Sequence, residues 1–272
     1  MFEGYWASVV IFAGINCLMG VSLYIPLSAG LISLGQGGFM AIGAYLSAVL
    51  TKSGVPFAVA LAAAGLAGAA AGFLVGLPAL RIRGIFVMIL TLGFGAIVRV
   101  FFSNYEPTGG ASGLGGIPPL TELWQVAAAN LLAIIAVYRI RKVRFGRALI
   151  AVDQDDTAAE AMGINLTRTK LLAFSLGAMT AGFAGAFYAH QALFIDAEQF
   201  DFSRSALAFL YVILGGAANP FGPFLGAIAV TLLPEMLRFV QDWRMTVFGL
   251  LLVALAIWRP SGLLPALQLW RR

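Results

Sequence analysis

The sequence predicts an all-α polytopic membrane protein with eight or nine transmembrane helices, some of them broken by glycines or re-entrant. First, 61% of its 272 residues are hydrophobic and only 11% are charged. This is more apolar surface than a soluble domain of this length can bury. Second, the apolar residues form continuous runs without the alternation of a β-barrel strand. Third, the basic residues cluster in a few loops, which indicates orientation in a lipid bilayer and not binding to nucleic acid.

The predicted spans follow from the length of each apolar run, because a helix needs about 20 apolar residues to cross a bilayer. Runs of this kind lie at about 6–27, 31–50, 56–79, 85–103, 123–140, 170–190, 206–218, 222–238 and 244–258. The first is interpreted as a retained span, since no basic region precedes it as in a signal peptide. The run at 206–218 is short for a full crossing, which favours a broken or re-entrant helix.

The positions of lysine and arginine predict which loops face the cytoplasm. They fall in three places: Arg81 and Arg83, a cluster from Arg139 to Lys170, and Arg259, Arg271 and Arg272. With alternating spans, all three lie on one side, which is therefore cytoplasmic. Nine crossings then place the N-terminus outside. The loop at about 104–121 is also outside, and its glycines predict a flexible connector or a docking surface for a delivery protein.

A polar segment interrupts the apolar pattern on the cytoplasmic side. Residues 152–166 combine acidic and small side chains, follow the basic residues 139–147, and precede another apolar run. The pattern predicts a short polar helix held between two spans. A multispanning protein rarely needs such an element unless a soluble protein docks there. The segment therefore indicates a membrane subunit that is driven by a cytoplasmic partner.

Two glycine-rich stretches, at 34–45 and 214–227, interrupt apolar runs at matching places in the two halves of the chain. Broken helices at membrane depth line a cavity or are buried in protein, and paired interruptions point to a transporter's substrate path. The pathway residues predicted on this basis are Gln36, Gly37, Gly38, Phe39, Tyr45, Gly215, Gly216, Asn219, Pro220 and Phe221. Close helix packing, helix capping by the two amides, and packing of the aromatic rings are the alternatives.

No catalytic residue and no metal ligand set is predicted. The single histidine, His190, and the single cysteine, Cys17, lie in distant segments, and no nucleophile pairs with a base. The sequence has no phosphate-binding loop of the Walker type. His190 is interpreted as an interfacial or substrate-entry residue. Within the spans, ionisable groups are nearly limited to Arg99 and Glu235, which argues against a proton-coupled carrier.

Several motifs occur in order over nearly the full length of the chain. They are Leu34–Tyr45, Leu80–Gly84 with Thr91–Phe94, Thr108–Gly110 with Gly113–Leu114, Phe145–Leu149, Ala159–Ile164, Ala184–Ala186 and Leu214–Ala227. Taken together, they resemble the permease subunits of branched-chain amino acid ABC importers, of the LivM type. The resemblance implies a non-enzymatic transport subunit in the bacterial inner membrane that works by alternating access.

The resemblance also implies the partners. They are a second permease of the LivH type, two cytoplasmic ATPases that bind ATP and magnesium, and a periplasmic solute-binding protein. This chain would hold no cofactor of its own. Residues 153–165, inside a cytoplasmic segment at about 141–169, then resemble the coupling helix. The implied ATPase-coupling residues are Asp155, Asp156, Thr157, Ala158, Ala159, Glu160, Met162, Gly163, Ile164 and Asn165.

Two departures from the family pattern leave the details open. Thr157 stands where ABC permeases generally carry glutamate, and Ala96 stands where many relatives carry an acidic residue. Hydrophobic amino acids are the default solute, with urea, amides and organic or aromatic acids as alternatives within the family. A passive solute channel, which needs no ATPase, is the alternative from another class. A membrane enzyme is disfavoured by the shortage of buried histidine and carboxylate side chains.

Overall fold

The computed structural model describes residues 2–82 and 84–237, together with Thr246, Val247, Gly249, Leu250, Val253, Gly262 and Leu263. The predicted span at 244–258 lies largely outside the described residues. Arg83, Arg259, Arg271 and Arg272 also lie outside them.

The described residues form helices that are joined by turns and loops, with one isolated β-bridge. The α-helices are α1 (Phe2–Leu27), α2 (Gln36–Lys52), α3 (Phe57–Ala79), α4 (Ile85–Asn104), α5 (Leu123–Lys142), α6 (Arg144–Gln154), α7 (Asp156–Ala161), α8 (Leu166–Ala192), α9 (Phe202–Gly215) and α10 (Gly222–Met236). Short 3-10 turns lie at Glu106–Thr108, Gly110–Ser112 and Ala197–Phe200.

Five of the described helices are long and apolar enough to cross a membrane: α1, α3, α4, α5 and α8. The multi-pass, all-α prediction is therefore confirmed. The predicted spans at 31–50, 206–218 and 222–238 correspond to helices of only 17, 14 and 15 residues. At about 1.5 Å of rise per residue, α9 is about 21 Å long, as expected for a segment that does not cross fully.

Helix α8 lies at the centre of the bundle, against α1, α2 and α3. Small residues let the backbones approach closely, so an ideal Cβ on Gly43 would lie 2.2 Å from the Gly182 carbonyl oxygen. A Cβ on Gly185 would lie 2.0 Å from the carbonyl oxygen of Met40. Within the first glycine-rich stretch, Gly43 therefore serves helix packing, the alternative given above.

Helix α10 runs antiparallel to α1. Near its start Pro223 lies against Gly20, and further along the Asn16 side-chain amide donates to Thr231 Oγ1 over 2.9 Å. At its end the Tyr5 hydroxyl donates to the Glu235 carboxylate. This contact agrees with the expectation that an ionisable residue in a span is placed toward its end and paired.

The loop between α4 and α5 has a defined backbone path and is not a structureless connector. It contains two 3-10 turns, and Leu114 and Ile195 exchange backbone hydrogen bonds of 2.8 and 3.1 Å. Lys52 Nζ donates to the Gly115 carbonyl oxygen over 2.8 Å. Glycine composition alone suggested flexibility, but pairing with the segment after α8 fixes the loop.

Candidate translocation site

The first glycine-rich stretch places the start of α2 inside the bundle. After α1 the chain turns at 28–30 and continues without helix to residue 35, and α2 begins at Gln36. The side-chain oxygen Oε1 of Gln36 accepts a hydrogen bond from Ser22 Oγ over 3.2 Å, and Ser22 lies well before the end of α1 at Leu27. The break therefore precedes Gln36, and Gly37 and Gly38 lie within the first turn of α2.

The start of α2 meets the start of α9. The backbone N–H of Gly37 donates to Ser205 Oγ over 2.9 Å, and a Cβ on Gly37 would lie 2.7 Å from the Phe200 carbonyl oxygen. Helix α9 is capped by Asp201, whose carboxylate accepts from the backbone N–H of Ser203 over 2.8 Å. Only glycine at position 37 allows this approach of two helix starts, which explains its place in the stretch.

A cavity of about 210 Å³ lies beside this junction and is closed on its other side by α4. It is lined by Leu34, Leu92, Gly95, Ala96, Arg99, Phe200, Asp201, Phe202 and Ser205. Arg99 is the one ionisable residue of α4, and it is exposed on the surface of this chain. Apolar walls and a few convergent polar groups are the usual character of a small-molecule site.

Of the three aromatic residues predicted for the pathway, Phe39 and Tyr45 are packed in the core, whereas Phe221 is 40% exposed. The Phe39 ring lies 4.7 Å from that of Phe94, and the Tyr45 ring stacks on Phe102 at 4.0 Å. Both side chains are fully buried, as is Gln36. None of these three residues lines the cavity, whose lining groups come from Leu34, from α4 and from residues 200–205 at the start of α9.

The second glycine-rich stretch forms the tight turn between α9 and α10. Asn219 Oδ1 accepts from the backbone N–H of Phe221 over 3.0 Å, so this amide caps the turn. Its Nδ2 is buried and has no hydrogen-bond partner among the described residues. The turn also receives Arg141, whose Nη1 donates to the Ala218 carbonyl oxygen over 3.2 Å.

The two stretches therefore lie at opposite ends of α9. The first contacts Phe200, Asp201 and Ser205, where α9 begins, whereas Gly215 and its neighbours follow where α9 ends. Along α9 they are about 21 Å of helix length apart. Helix α1 contacts both, since Ser22 donates to Gln36 Oε1 and Gly20 lies against Pro223. The two stretches thus contact opposite ends of α9 and a common part of α1.

The acidic segment is divided into three parts. Helix α6 ends at Gln154, α7 spans only the six residues Asp156–Ala161, and a turn follows to the start of α8. Asp155 causes the division, because its carboxylate accepts from the backbone N–H groups of Thr157 and Ala158 at 2.8 and 3.1 Å. The single helix predicted over 153–165 is thus shorter in the structure.

Contacts with α8 fix the position of α7. Lys170 Nζ lies 2.7 Å from Asp156 Oδ2, the one ion pair found among the described residues. Ala159 is buried against the bundle, whereas Met162 is 84% exposed. The segment thus presents a large apolar side chain on a polar surface.

A second cavity, of about 490 Å³, lies between the end of α1, α6 and the α9–α10 turn. Asp153 and Arg141 both line it. Burial raises the pKa of the Asp153 carboxyl above its ordinary value of 3.8. The turn of the second glycine-rich stretch therefore shares a cavity with the helix that leads into α7.

His190 is buried, with 1% of its surface exposed, so its interpretation as an interfacial or entry residue was wrong. Its Nδ1 donates to the Ala186 carbonyl oxygen over 2.8 Å, and its Nε2 lies 3.0 Å from Thr51 Oγ1. The Phe57 ring lies against the imidazole at 4.8 Å. Contacts from α2 and α3 bury this residue, and no local sequence pattern reveals them.

Sequence reasoning also missed Asp201 and Ser205, which it left in an external loop and at the edge of a span. The available signal was the run Asp201-Phe-Ser, since an aspartate followed two residues later by a backbone N–H that it can cap marks a helix start.

Comparison with known proteins gives a consistent result. A family model described as "Branched-chain amino acid transport system / permease component" matches residues 5–256. The high-affinity branched-chain amino acid transport system permease protein LivM of Salmonella typhimurium is 36% identical over 293 residues, 94% of this chain and 67% of that protein. LivM of Escherichia coli K12 gives the same values.

The autoinducer 2 import system permease protein LsrC of Escherichia coli (strain K12 / DH10B) is 27% identical over 248 residues, 83% of this chain and 70% of that protein. No solved structure gives a significant match. The family model covers most of the chain, in agreement with the multi-pass helical bundle described above. The chain belongs to the family of permease components of branched-chain amino acid transport systems.

Proposed function

We propose that this chain is one permease subunit of an ATP-driven importer that moves branched-chain or other hydrophobic amino acids across the bacterial inner membrane. A second, homologous permease completes the membrane path, and a periplasmic binding protein delivers the solute. Two cytoplasmic ATPases bind ATP and magnesium, so this chain needs no cofactor. Eight or nine membrane segments, some of them half-length, build the permease domain over residues 1–272. The observation that carries this proposal is the match to LivM over 94% of the chain.

The α7 region is the proposed contact with the ATPases. It is held between α6 and α8 by Asp155 capping and by the Lys170–Asp156 ion pair, so it is positioned independently of a partner. Met162 is 84% exposed there, so its side chain is accessible to a partner. The proposed contact set is Asp155 to Glu160 together with Met162 to Asn165.

The proposed path passes the junction of α2 and α9. Two helix starts, a glycine-lined approach and a cavity are found together there. Helix α9 links this junction to the cytoplasmic turn, which shares a cavity with Asp153 of α6. Movement of α6 and α7 by an ATPase would therefore reach the solute cavity through α9. In this proposal α9 transmits the movement, and the two glycine-rich stretches lie at its two ends.

Affinity purification of the tagged chain from its native membrane tests the proposal. Recovery of a second permease and two ATPases is expected, and the reconstituted assembly should accumulate leucine only with ATP and its binding protein. A chain that purifies alone and passes leucine without ATP would establish a passive channel instead. Accumulation of another solute, with leucine excluded, would retain the importer and refute the substrate.

A variant pair locates the ATPase contact. Met162→Glu should lower the recovery of the ATPases and leave the second permease bound. Tyr105→Glu is the matched control, since Tyr105 is also exposed but lies where α4 ends, away from α7 in the chain. If both variants retain the ATPases, the contact lies elsewhere.

A further inference from the structure

Two opposite charges line one cavity at the junction of α2, α4 and α9 without pairing. Arg99 enters from α4 and Asp201 from the start of α9. Among the described residues, the one ion pair within 4.0 Å is Lys170 with Asp156, so Arg99 and Asp201 lie farther apart than a salt bridge. The cavity between them has a volume of about 210 Å³. A guanidinium and a carboxylate separated in this way form a matched pair of sites for a dipolar solute.

We propose that this cavity binds the zwitterion of an apolar α-amino acid, with its carboxylate on Arg99 and its ammonium on Asp201. The inference rests on the proposed function and assigns residues to the solute contact. Guanidinium recognises carboxylate through two parallel N–H donors, which makes arginine suited to this task. Each end of an amino acid thus meets its opposite charge across the cavity.

The Asp201 carboxylate can accept further hydrogen bonds in addition to those that cap α9. Its Oδ1 accepts from the Ser203 backbone N–H over 2.8 Å, and its Oδ2 accepts from Ser203 Oγ over 3.1 Å. An ionised carboxylate has about four lone-pair sites, so two remain for a solute ammonium. The cap also holds the carboxylate at a fixed place at the cavity wall.

The position of Arg99 is costly without such a use. It lies roughly 8 Å of helix rise before the end of α4 at Asn104, on a helix that is otherwise without ionisable side chains. Charged side chains at membrane depth mark substrate paths or pair with an opposite charge. No hydrogen bond of Arg99 is found within the described part of the chain, so its guanidinium is available to a solute.

The rest of the cavity wall suits a branched apolar side chain. Leu34, Leu92 and Phe202 contribute apolar surface, while Gly95 and Ala96 keep the α4 side of the cavity open. Burial of an apolar side chain against this wall would stabilise the bound solute. The charged pair would therefore fix the backbone of the amino acid, and the apolar wall would select its side chain.

Binding of three probes to the purified transporter assembly, without the binding protein, tests this arrangement. Leucine carries both charges, leucinamide lacks the carboxylate, and 4-methylpentanoate lacks the ammonium. Arg99→Gln should weaken leucine binding about 10-fold to 100-fold and leave leucinamide unchanged. Asp201→Asn should weaken leucine similarly and leave 4-methylpentanoate unchanged, while asparagine still caps α9.

Asp196→Asn is the matched control. Asp196 also caps a turn, with Oδ1 accepting from the Gln199 N–H over 3.0 Å, but it does not line the cavity. All three probes should bind this variant as they bind the unchanged protein.

Three results would overturn the inference: no leucine binding by the unchanged assembly, equal weakening of leucine and leucinamide by Arg99→Gln, or loss of the second permease from that variant. The last would assign Arg99 to the subunit interface. Failure of the proposed function can be distinguished from failure of this inference, because in the first case even the complete system with its binding protein would not accumulate leucine.

Discussion

A close contact between α8 and α2 gives a quantitative prediction about Gly185. In α8, a Cβ at this position would lie 2.0 Å from the Met40 carbonyl oxygen and 2.9 Å from the Ala44 backbone nitrogen. Both atoms belong to the backbone of α2, so no side-chain rotation relieves the overlap. Ordinary contact begins at 3.4 Å. Gly185→Ala therefore requires α2 and α8 to separate locally by roughly 1.4 Å, since overpacked cores move their backbones.

The expected change in the stability of Gly185→Ala has two opposing contributions. Overpacking of a well-filled core costs about 1–3 kcal/mol, while replacement of glycine by alanine within a helix stabilises it by about 1 kcal/mol. Gly93→Ala in α4 isolates the second term, because nothing lies within 4 Å of a Cβ there. The two variants should therefore differ in stability by about 1–3 kcal/mol, with Gly185→Ala the less stable.

Thermal unfolding of the detergent-purified variants measures this difference. About 2–4 °C of Tm per kcal/mol applies to a chain of this size, so the Tm of Gly185→Ala should lie several degrees below that of Gly93→Ala. Equal Tm values for the two variants would refute the close contact between α2 and α8.

Three further predictions concern the helix junctions. Asp155→Ala should destabilise α7 by about 1 kcal/mol and lower the ATPase activity stimulated by loaded binding protein, whereas Asp155→Asn should retain both. Thr91→Val should lower the stability by about 1–3 kcal/mol, because it leaves the partly buried N–H of Leu34 without its 2.9 Å acceptor. Thr91→Ser keeps the hydroxyl and should retain the stability, as thermal unfolding would show. Because the pKa of Asp153 is raised, the folded protein binds the proton of this carboxyl more tightly than the unfolded chain does. The contribution of Asp153 to stability therefore falls as the pH rises from 3.8 through the raised pKa. Tm measured against pH should show that Asp153→Asn removes this part of the decline, and an unchanged profile would contradict it.

The spans were predictable because length and hydropathy determine them locally. The expected segments at 56–79 and 85–103 match α3 and α4 within a few residues, since an apolar run of about 20 residues has few alternatives in a bilayer. Helix boundaries set by side-chain caps were less accurate. The division of the acidic segment at Asp155 was missed, because an aspartate within a polar run can either continue a helix or cap the next one.

The candidate site could be predicted only in part, and α9 shows why. Both glycine-rich stretches were recognised, since glycine within an apolar run is a local signal. Which helix start each glycine approaches is a matter of tertiary packing: Gly37 lies against Phe200 and Asp201, more than 160 positions away along the chain. Hydropathy placed the span at 206–218 several residues too late, so Asp201 and Ser205 were left outside the membrane part. Had the capping pattern at Asp201 been given the same weight as hydropathy, the carboxylate would have been placed at a helix start. Only the packing of that helix against α4 could then bring it to the cavity that Arg99 also lines.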